Sequence, residues 1–385
     1  MKRLAIITTH PIQYYAPLFA LLQRRGNIAV RVFYTWGEAS VNKLDPGFGQ
    51  AVNWDLPLLE GYPFEWVENT SAEPGSHHFK GIINPSLISR VEQFGADAIL
   101  VFGWAYNGHL KAMRHFKSKK PVYFRGDSTL LDGSWGIRKV VRSFFLRWVY
   151  SYVDHAFYVG ANNKAYLKKF GLDDSQLSFG PHAIDNDRFA TKFASEAFEL
   201  RKRLGVSDGD ILILFAGKFE EKKSPELLLE VFLTLEQPGV HLLLTGNGQL
   251  EETLKLMASG AGNVHFMNFQ NQSQMPVVYQ ACDLFCLPSK GPGETWGLAV
   301  NEAMACGKAV ITSDKVGCAV DLVSNENGVI FPSGNGEALG DALQSVLKDK
   351  SRLIKMGNAS SNRIAPWNFT NIAVAIENKL LNEAK

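Results

Sequence analysis

Short apolar runs alternate with stretches of helical spacing along most of the chain. Leu4 to Thr9 is the first run, broken by His10-Pro11-Ile12-Gln13. Tyr14 to Arg25 then sets Leu18, Leu21 and Leu22 on one helical face, and Ile28 to Thr35 returns to a run rich in Val and Phe. The same alternation predicts strands at 98–102, 121–124, 155–159 and 177–179, then at 210–215, 240–245, 264–267, 283–287, 309–312 and 328–331. Helices are expected over 84–93, 108–116, 137–153, 161–170, 195–204, 226–235 and 298–306, with more through 356 and a terminal one from 369. Strand and helix taken in turn predict the α/β class, with parallel, doubly wound sheets. Residues 37 to 80 break the rhythm. They read as a long loop or a small hairpin, Asp55 to Leu58 with Pro63 to Val67.

At 385 residues and 46% hydrophobic content the chain can fill two cores. A formal net charge of +2 gives no bulk signal for a nucleic-acid partner. Cys282, Cys286, Cys306 and Cys318 sit in or beside apolar runs without a C-x-x-C pair, so they read as reduced packing residues of a cytoplasmic protein. No signal peptide or membrane span is predicted. The first strand is not followed by G-x-G-x-x-G, which argues against a nicotinamide or flavin cofactor; no cofactor and no metal is expected. One helix reads two ways. Ile137 to Val153 mixes Arg138, Lys139, Arg142 and Arg147 with Val141, Phe144, Phe145, Leu146, Trp148 and Val149. It suits either an anionic membrane surface or a core position with snorkelling arginines, and its direct run into the next strand favours the core.

The chemistry concentrates in residues 288 to 314. An apolar strand ends at Pro288, a Gly/Pro loop follows, a helix runs from Leu298 to Cys306, and Gly307 closes it before the next strand. Amides near Trp296, Gly297 and Leu298 open that helix without intrahelical partners and present its positive end to an anion. Glu294 in the loop and Glu302 in the helix are acceptors suited to sugar hydroxyls. A second cationic cluster, Lys218 and Lys223, stands at the junction after strand 210–215 and suits a diphosphate.

The stretch resembles the E-x7-E signature of retaining glycosyltransferases of family 4, which have the GT-B fold. Glu294-Thr295-Trp296-Gly297-Leu298 is similar to that family's E-G-F-G-L, and Glu302 to Val310 to its E-A-M-A-x-G-x-P-V. Gly217-Lys218 with Lys223 resembles its G-R-x-x-x-x-K-G, with Lys for Arg at 218 and Ser224 for the final Gly. Pro181-His182-Ala183-Ile184-Asp185, with Phe189 beyond, is similar to P-N-G-V-D-x-x-x-F and marks a hinge. The resemblance implies two Rossmann-like domains facing a cleft. An acceptor domain of residues 1–190 would carry the terminal helix 369–385, which crosses back onto it, and residues 191–368 would hold the donor.

By the same resemblance Glu294 acts on the sugar, Glu302 on the ribose, Lys218 and Lys223 on the diphosphate, and the backbone of Asn268 and Phe269 on the nucleobase. Gly217, Thr295, Trp296, Gly297 and Leu298 complete the donor site. Acceptor candidates are His10 and Gln13 after the first strand. His10 reads equally as a structural imidazole. Arg125 and Asp127 stand where many members carry a His, and they read as acceptor contacts or as loop-fixing groups. The function implied is metal-independent, retaining hexosyl transfer from a UDP- or GDP-linked sugar to a hydroxyl of a glycan or lipid-linked saccharide, in cell-surface polysaccharide synthesis. Peripheral contact with the cytoplasmic membrane face goes with it. A degenerate nucleotide-sugar-binding protein without turnover and a nucleotide-sugar epimerase are the alternatives.

Overall fold

A computed structural model of the chain describes residues 1–40, 44–45, 50–51, 54–132 and 136–382, with the backbone alone described at 44–45, 50–51 and 137–139. The chain divides into two compact units. The first takes Met1–Lys43, Leu56–His182 and Phe369–Lys385; the second takes Leu44–Asp55 and Ala183–Asn368. The change of unit falls at 182/183 rather than at 190/191. Phe189 is fully buried against Tyr279 of the second unit, with ring centroids 5.9 Å apart, so the linker entry folds as part of that unit.

The first unit is built on a seven-stranded parallel sheet. Its strands are β1 (Arg3–Thr8), β2 (Ala29–Tyr34), β3 (Phe64–Trp66), β4 (Ala98–Phe102), β5 (Val122–Arg125), β6 (His155–Tyr158) and β7 (Leu177–Phe179). They lie in the order β3-β2-β1-β4-β5-β6-β7. The second unit has six parallel strands, β8 (Ile211–Ala216), β9 (Val240–Thr245), β10 (Val264–Met267), β11 (Leu284–Leu287), β12 (Ala309–Ser313) and β13 (Gly328–Phe331). Their order is β10-β9-β8-β11-β12-β13. Helices cover both faces of such sheets, so the central strands are apolar at every position rather than at alternate ones. Leu4 to Ile7 and Leu212 to Phe215 are all fully buried. In each unit the order reverses once, between β1 and β4 and between β8 and β11. Ligands of open α/β sheets sit at the carboxyl ends of the strands flanking that reversal.

The terminal helix Phe369–Asn382 belongs to the first unit. Its buried Glu377 receives Arg25 through Nε at 2.9 Å and Nη2 at 2.8 Å, and Asn27 Nδ2 at 2.9 Å. A carboxylate met by a guanidinium fork and an amide is a satisfied buried charge, so the helix is pinned as well as packed.

Two expectations are corrected. Asp55 to Leu58 forms no strand; β3 instead adds in parallel to β2, with Val32 opposite Phe64 and Tyr34 opposite Trp66. Tyr34 lies 5.1 Å from the Trp66 ring and 5.9 Å from the Phe64 ring, and aromatic cross-strand contacts of this kind favour the observed pairing. The helix Ile137–Tyr150 is not a core helix. It buries only Leu146, Val149 and Tyr150 among its described side chains, while Val140, Val141, Phe144, Phe145 and Trp148 are exposed, Phe144 to 70%. The side chains of Arg138 and Lys139 lie outside the described residues. Among the described residues no helix is long and apolar enough to cross a membrane. All four cysteines are free thiols, three of them buried.

Candidate active site

The site of the second unit grows from the two strands that flank its reversal. β8 ends at Ala216 and hands over to Gly217, whose amide donates to Thr245 O at 3.0 Å. The chain then passes Lys218, turns through a short 3-10 helix at Glu221–Lys223 and enters the helix Pro225–Thr234. Ser224 makes the corner with φ 54°, the left-handed conformation for which glycine is suited, while 6% exposed. The expected G-x-G turn, Gly246-Asn247-Gly248, lies beside it. A Cβ on Gly246 would stand 1.9 Å from Gly217 O, so the turns after β8 and β9 touch backbone to backbone.

β11 ends at Leu287, and the loop after it folds onto the β8 corner. Lys290 N donates to Lys222 O at 2.9 Å, and Lys290 Nζ meets Glu221 Oε1 at 3.0 Å. Glu294 comes to rest 2.5 Å from Lys223 Nζ, through Oε2, and the same oxygen accepts from Ser289 Oγ at 2.9 Å. Glu294 is 7% exposed. Its backbone carbonyl accepts from Gly317 N at 3.0 Å, and Trp296 O accepts from Cys318 N at 2.9 Å, which fixes the loop from behind. Gly297 comes next with φ 92°, and a Cβ there would lie 2.7 Å from Val316 Cγ1. Only glycine turns the chain here, and the turn sends it straight into the helix Leu298–Ala305.

Trp296 stands at the position of the family's Phe. Its indole is buried, and Nε1 donates to buried Asn301 Oδ1 at 2.9 Å, which satisfies the one polar group that Trp adds. Glu302 lies in the second turn of the helix, 4% exposed, and accepts from Tyr279 OH at 2.9 Å through Oε2. Thr295 and Leu298 flank the turn; Thr295 is half-buried, as is Leu298. Asn268 and Phe269 come directly after β10; the Phe269 amide donates to Asn247 Oδ1 at 2.8 Å, and Asn247 Nδ2 reaches Asn268 Oδ1 at 3.3 Å. The unit thus gathers Lys218 and Lys223, a carboxylate and a helix start at adjacent strand ends, with Asn268–Phe269 two strands away. Two cations and a helix start suit a diphosphate; an acidic partner on Lys223 suits hydroxyls next to it.

The first unit treats its candidates differently. Arg125 closes β5 only 2% exposed, and its guanidinium donates to Gly180 O at 2.6 Å and Pro181 O at 2.8 Å. Burial lowers its pKa to about 10, which leaves it charged at neutral pH. Its observed partners are backbone carbonyls of the segment that leads out of the unit, which is the loop-fixing arrangement by hydrogen bonds instead of an ion pair. Asp127 Oδ2 lies 4.0 Å from Nε2 of His182, a buried imidazole that stacks on Tyr15 with centroids 6.2 Å apart. His182 escaped the sequence reading because it appeared there only as part of the linker motif, at that motif's Asn position. Burial, opposed in part by Asp127, lowers its pKa to about 4. His10 is also lowered to about 4 by burial, with Thr9 Oγ1 2.9 Å from Nδ1 and Trp36 edge-on at 5.2 Å. Gln13 lies half-buried in the turn after it. These groups share the carboxyl-end edge of the first sheet.

Residues 196–363 match the model of glycosyl transferases group 1. The chain is a GT-B protein with a group 1 domain. The matched residues include every residue that the family resemblance assigns to the donor. The chain is 25% identical over 237 residues to the GDP-mannose-dependent monoacylated alpha-(1-6)-phosphatidylinositol monomannoside mannosyltransferase of Corynebacterium glutamicum, covering 57% of this chain and 62% of that protein. It is 29% identical over 199 residues to the D-inositol 3-phosphate glycosyltransferase of Segniliparus rotundus, covering 49% and 43% respectively. The chain therefore spans less than two thirds of these relatives' own length. Among solved structures, Anabaena HepE in complex with UDP and glucose superposes with a TM-score of 0.70 at 18% identity, over 99% of this chain and 100% of that one. Sucrose-phosphate synthase from Thermosynechococcus elongatus gives 0.74 at 18% identity, over 100% of both. At such identity the likeness speaks for the GT-B fold.

Proposed function

We propose that this group 1 protein is a retaining hexosyltransferase that moves a sugar from a UDP- or GDP-linked donor to a hydroxyl of a glycan or lipid-linked saccharide. The observation that carries the proposal is the Lys223–Glu294 contact, 2.5 Å across the reversal between β8 and β11, beside the start of the helix Leu298–Ala305. The donor half is the second unit, residues 44–55 and 183–368, and the acceptor half is the first, residues 1–43, 56–182 and 369–385. Lys218 and Lys223 take the diphosphate. Glu294, once Lys223 is shared with phosphate, receives sugar hydroxyls, and Glu302 faces the ribose.

In the transfer, the bond between the anomeric carbon and the diphosphate oxygen breaks, and its electron pair stays on the diphosphate. Lys218, Lys223 and the orphan amides of the helix start stabilise that growing charge without reorganising, and this electrostatic term supplies most of the catalysis. The acceptor oxygen bonds to the same face of the sugar and its proton passes to the departing phosphate oxygen. Neither an enzyme nucleophile nor a metal enters the scheme. The names of the Corynebacterium and Segniliparus proteins, which act on an inositol lipid and an inositol phosphate, support a small or lipid-linked acceptor.

A lipid-linked acceptor gives the exposed helix Ile137–Tyr150 a use. Val140, Val141, Phe144, Phe145 and Trp148 recur at helical spacing with exposed Arg142 and Arg147 between them, and Arg114 lies over the Trp148 ring at 5.5 Å. Apolar groups flanked by arginines, with no acidic residue in the helix, fit an anionic lipid surface. Sedimentation with vesicles containing anionic lipid should carry down the wild type and leave Phe144→Glu in solution; equal sedimentation would refute the contact.

A thermal-shift panel of UDP, GDP and their sugars tests the donor site. A ligand at about 100 times its Kd stabilises by roughly 2.7 kcal/mol. One nucleotide should stabilise the wild type and fail on Lys218→Ala; no response to any would overturn the proposal. Lys at 218, where the family has the forked Arg, favours a second reading, nucleotide-sugar binding without turnover. Product formation with a saccharide acceptor separates the two.

A further inference from the structure

Trp54 and Asp55 lie early in the chain, yet they are bound within the second unit. The Asp55 carboxylate accepts from Ser273 N at 3.1 Å and from the Ser273 hydroxyl, just ahead of the helix Met275–Ala281, and the Asp55 amide donates to Asn271 Oδ1 at 3.4 Å. The carboxylate thus ties residue 55 to the turn that leads into that helix. The neighbouring Trp54 meets Phe269 edge-on, with centroids 6.1 Å apart and planes at 70°. Phe269 is itself tied to Asn247. The turns after β9 and β10 therefore form one hydrogen-bonded floor, and Trp54 stands against it.

We propose that Trp54 is a stacking residue for the nucleobase of the donor and that Asp55 is its positioning residue; this rests on the nucleotide-sugar reading of the donor site. The direction fits. β10 lies two strand spacings from β8, about 10 Å, so a nucleoside diphosphate seated at Lys218 and Lys223 extends toward Phe269 to bring its base there. An indole face accepts any base. Trp54 therefore sets the preference for a nucleoside diphosphate over bare diphosphate, and leaves the choice among bases to other groups.

Calorimetric titration of the whole chain with UDP, GDP and inorganic pyrophosphate tests this. Trp54→Ala should weaken the better-bound nucleotide by roughly ten-fold or more, as loss of an aromatic stacking platform does, and leave pyrophosphate affinity unchanged. Trp54→Phe should recover most of the loss. Asp55→Ala should weaken the nucleotide several-fold, again with pyrophosphate unchanged, which a general loss of structure would not produce. Trp54 emission, taken as the difference between wild type and Trp54→Phe, should be quenched on nucleotide addition. Wild-type nucleotide affinity in Trp54→Ala, or an equal loss for pyrophosphate, overturns the proposal. A wild type that binds none of the three ligands refutes the nucleotide-sugar reading itself, and is distinguishable because no variant is then needed.

Discussion

The carboxyl ends of β8 and β11, and those of β1 and of β5 one strand beyond the reversal, lie along the same edge of two similar sheets, yet they hold charge in opposite ways. In the second unit Lys223 and Glu294 face each other across the strand reversal, joined at 2.5 Å and backed by Ser289. In the first unit Arg125 is spent on the carbonyls of Gly180 and Pro181, and the imidazoles of His10 and His182 are held neutral by burial. A side-chain pair can be re-partnered by an incoming anion. A guanidinium donating to fixed backbone carbonyls has no such exchange open to it without breaking the loop. The comparison separates charge that an incoming anion can re-partner from charge committed to fixed backbone carbonyls, although both follow the same sheet edge.

Acid should act on the two units unequally, and this is the largest effect expected. His10, His109 and His182 of the first unit each have a folded pKa lowered to about 4 by burial. Unfolded, each binds its proton near pH 6.5. The unfolded chain therefore binds more protons between about pH 6.5 and pH 4, and stability is lost as pH falls through that window, at up to about 1.4 kcal/mol per pH unit for each histidine. In the second unit His265 is lowered too, by burial and by its neighbour His241, but less far. Hydrogen exchange monitored from pH 7 to 4 should show the first unit opening first. Equal loss in both units would break the comparison.

Lys223→Ala comes next. It leaves Glu294, 7% exposed, with its cation gone, and breaking a buried pair costs about 3 kcal/mol or more. Urea unfolding should show a loss of this order, with Lys223→Ala/Glu294→Gln recovering part of it. Nucleotide tests of the site therefore belong on Lys218. If Lys223→Ala is neutral, the pair is held open to solvent and the ligand argument gains. Arg125→Met should cost about 2 kcal/mol, the scale of hydrogen bonds from a charged donor. It should leave nucleotide binding unchanged; a drop in nucleotide affinity would assign Arg125 to the ligand after all.

The second unit was the more legible of the two for a physical reason. Its site is built almost wholly from contiguous stretches: Gly217 to Pro225 makes one corner, and Ser289 to Glu302 makes the loop and the helix. Local chemistry such as Gly297, the helix start and the Lys positions is visible in such runs. The strands of both units were legible because fully buried parallel strands are apolar throughout. Features that could not be read depended on distance in sequence. β3 pairs with β2 through aromatic contacts, Asp55 reaches Ser273, and Arg125 reaches Gly180. The helix Ile137–Tyr150 was misread because it runs directly into a strand as a core helix would, and only the fold shows that its apolar stripe has been left exposed.

The smallest effect tests whether the corner after β8 is shaped for its own stability or for the lysine it presents. Ser224 sits there at φ 54° while 6% exposed, in a conformation that strains residues with a Cβ. Relief of that strain by Ser224→Gly is worth about 1–2 kcal/mol. The greater freedom of glycine in the unfolded chain returns roughly 0.5–1 kcal/mol of it. The balance is a gain of about 0.5–1 kcal/mol, readable as a rise in Tm. Were the corner only a turn, nucleotide binding would not change with it. Lys223 is the residue just before Ser224, however, and its reach to Glu294 depends on where the corner points. A stabilised Ser224→Gly with unchanged nucleotide affinity shows that the turn type alone places the lysine. A stabilised variant with weaker binding shows that the serine side chain, buried beside the helix start, helps to aim it.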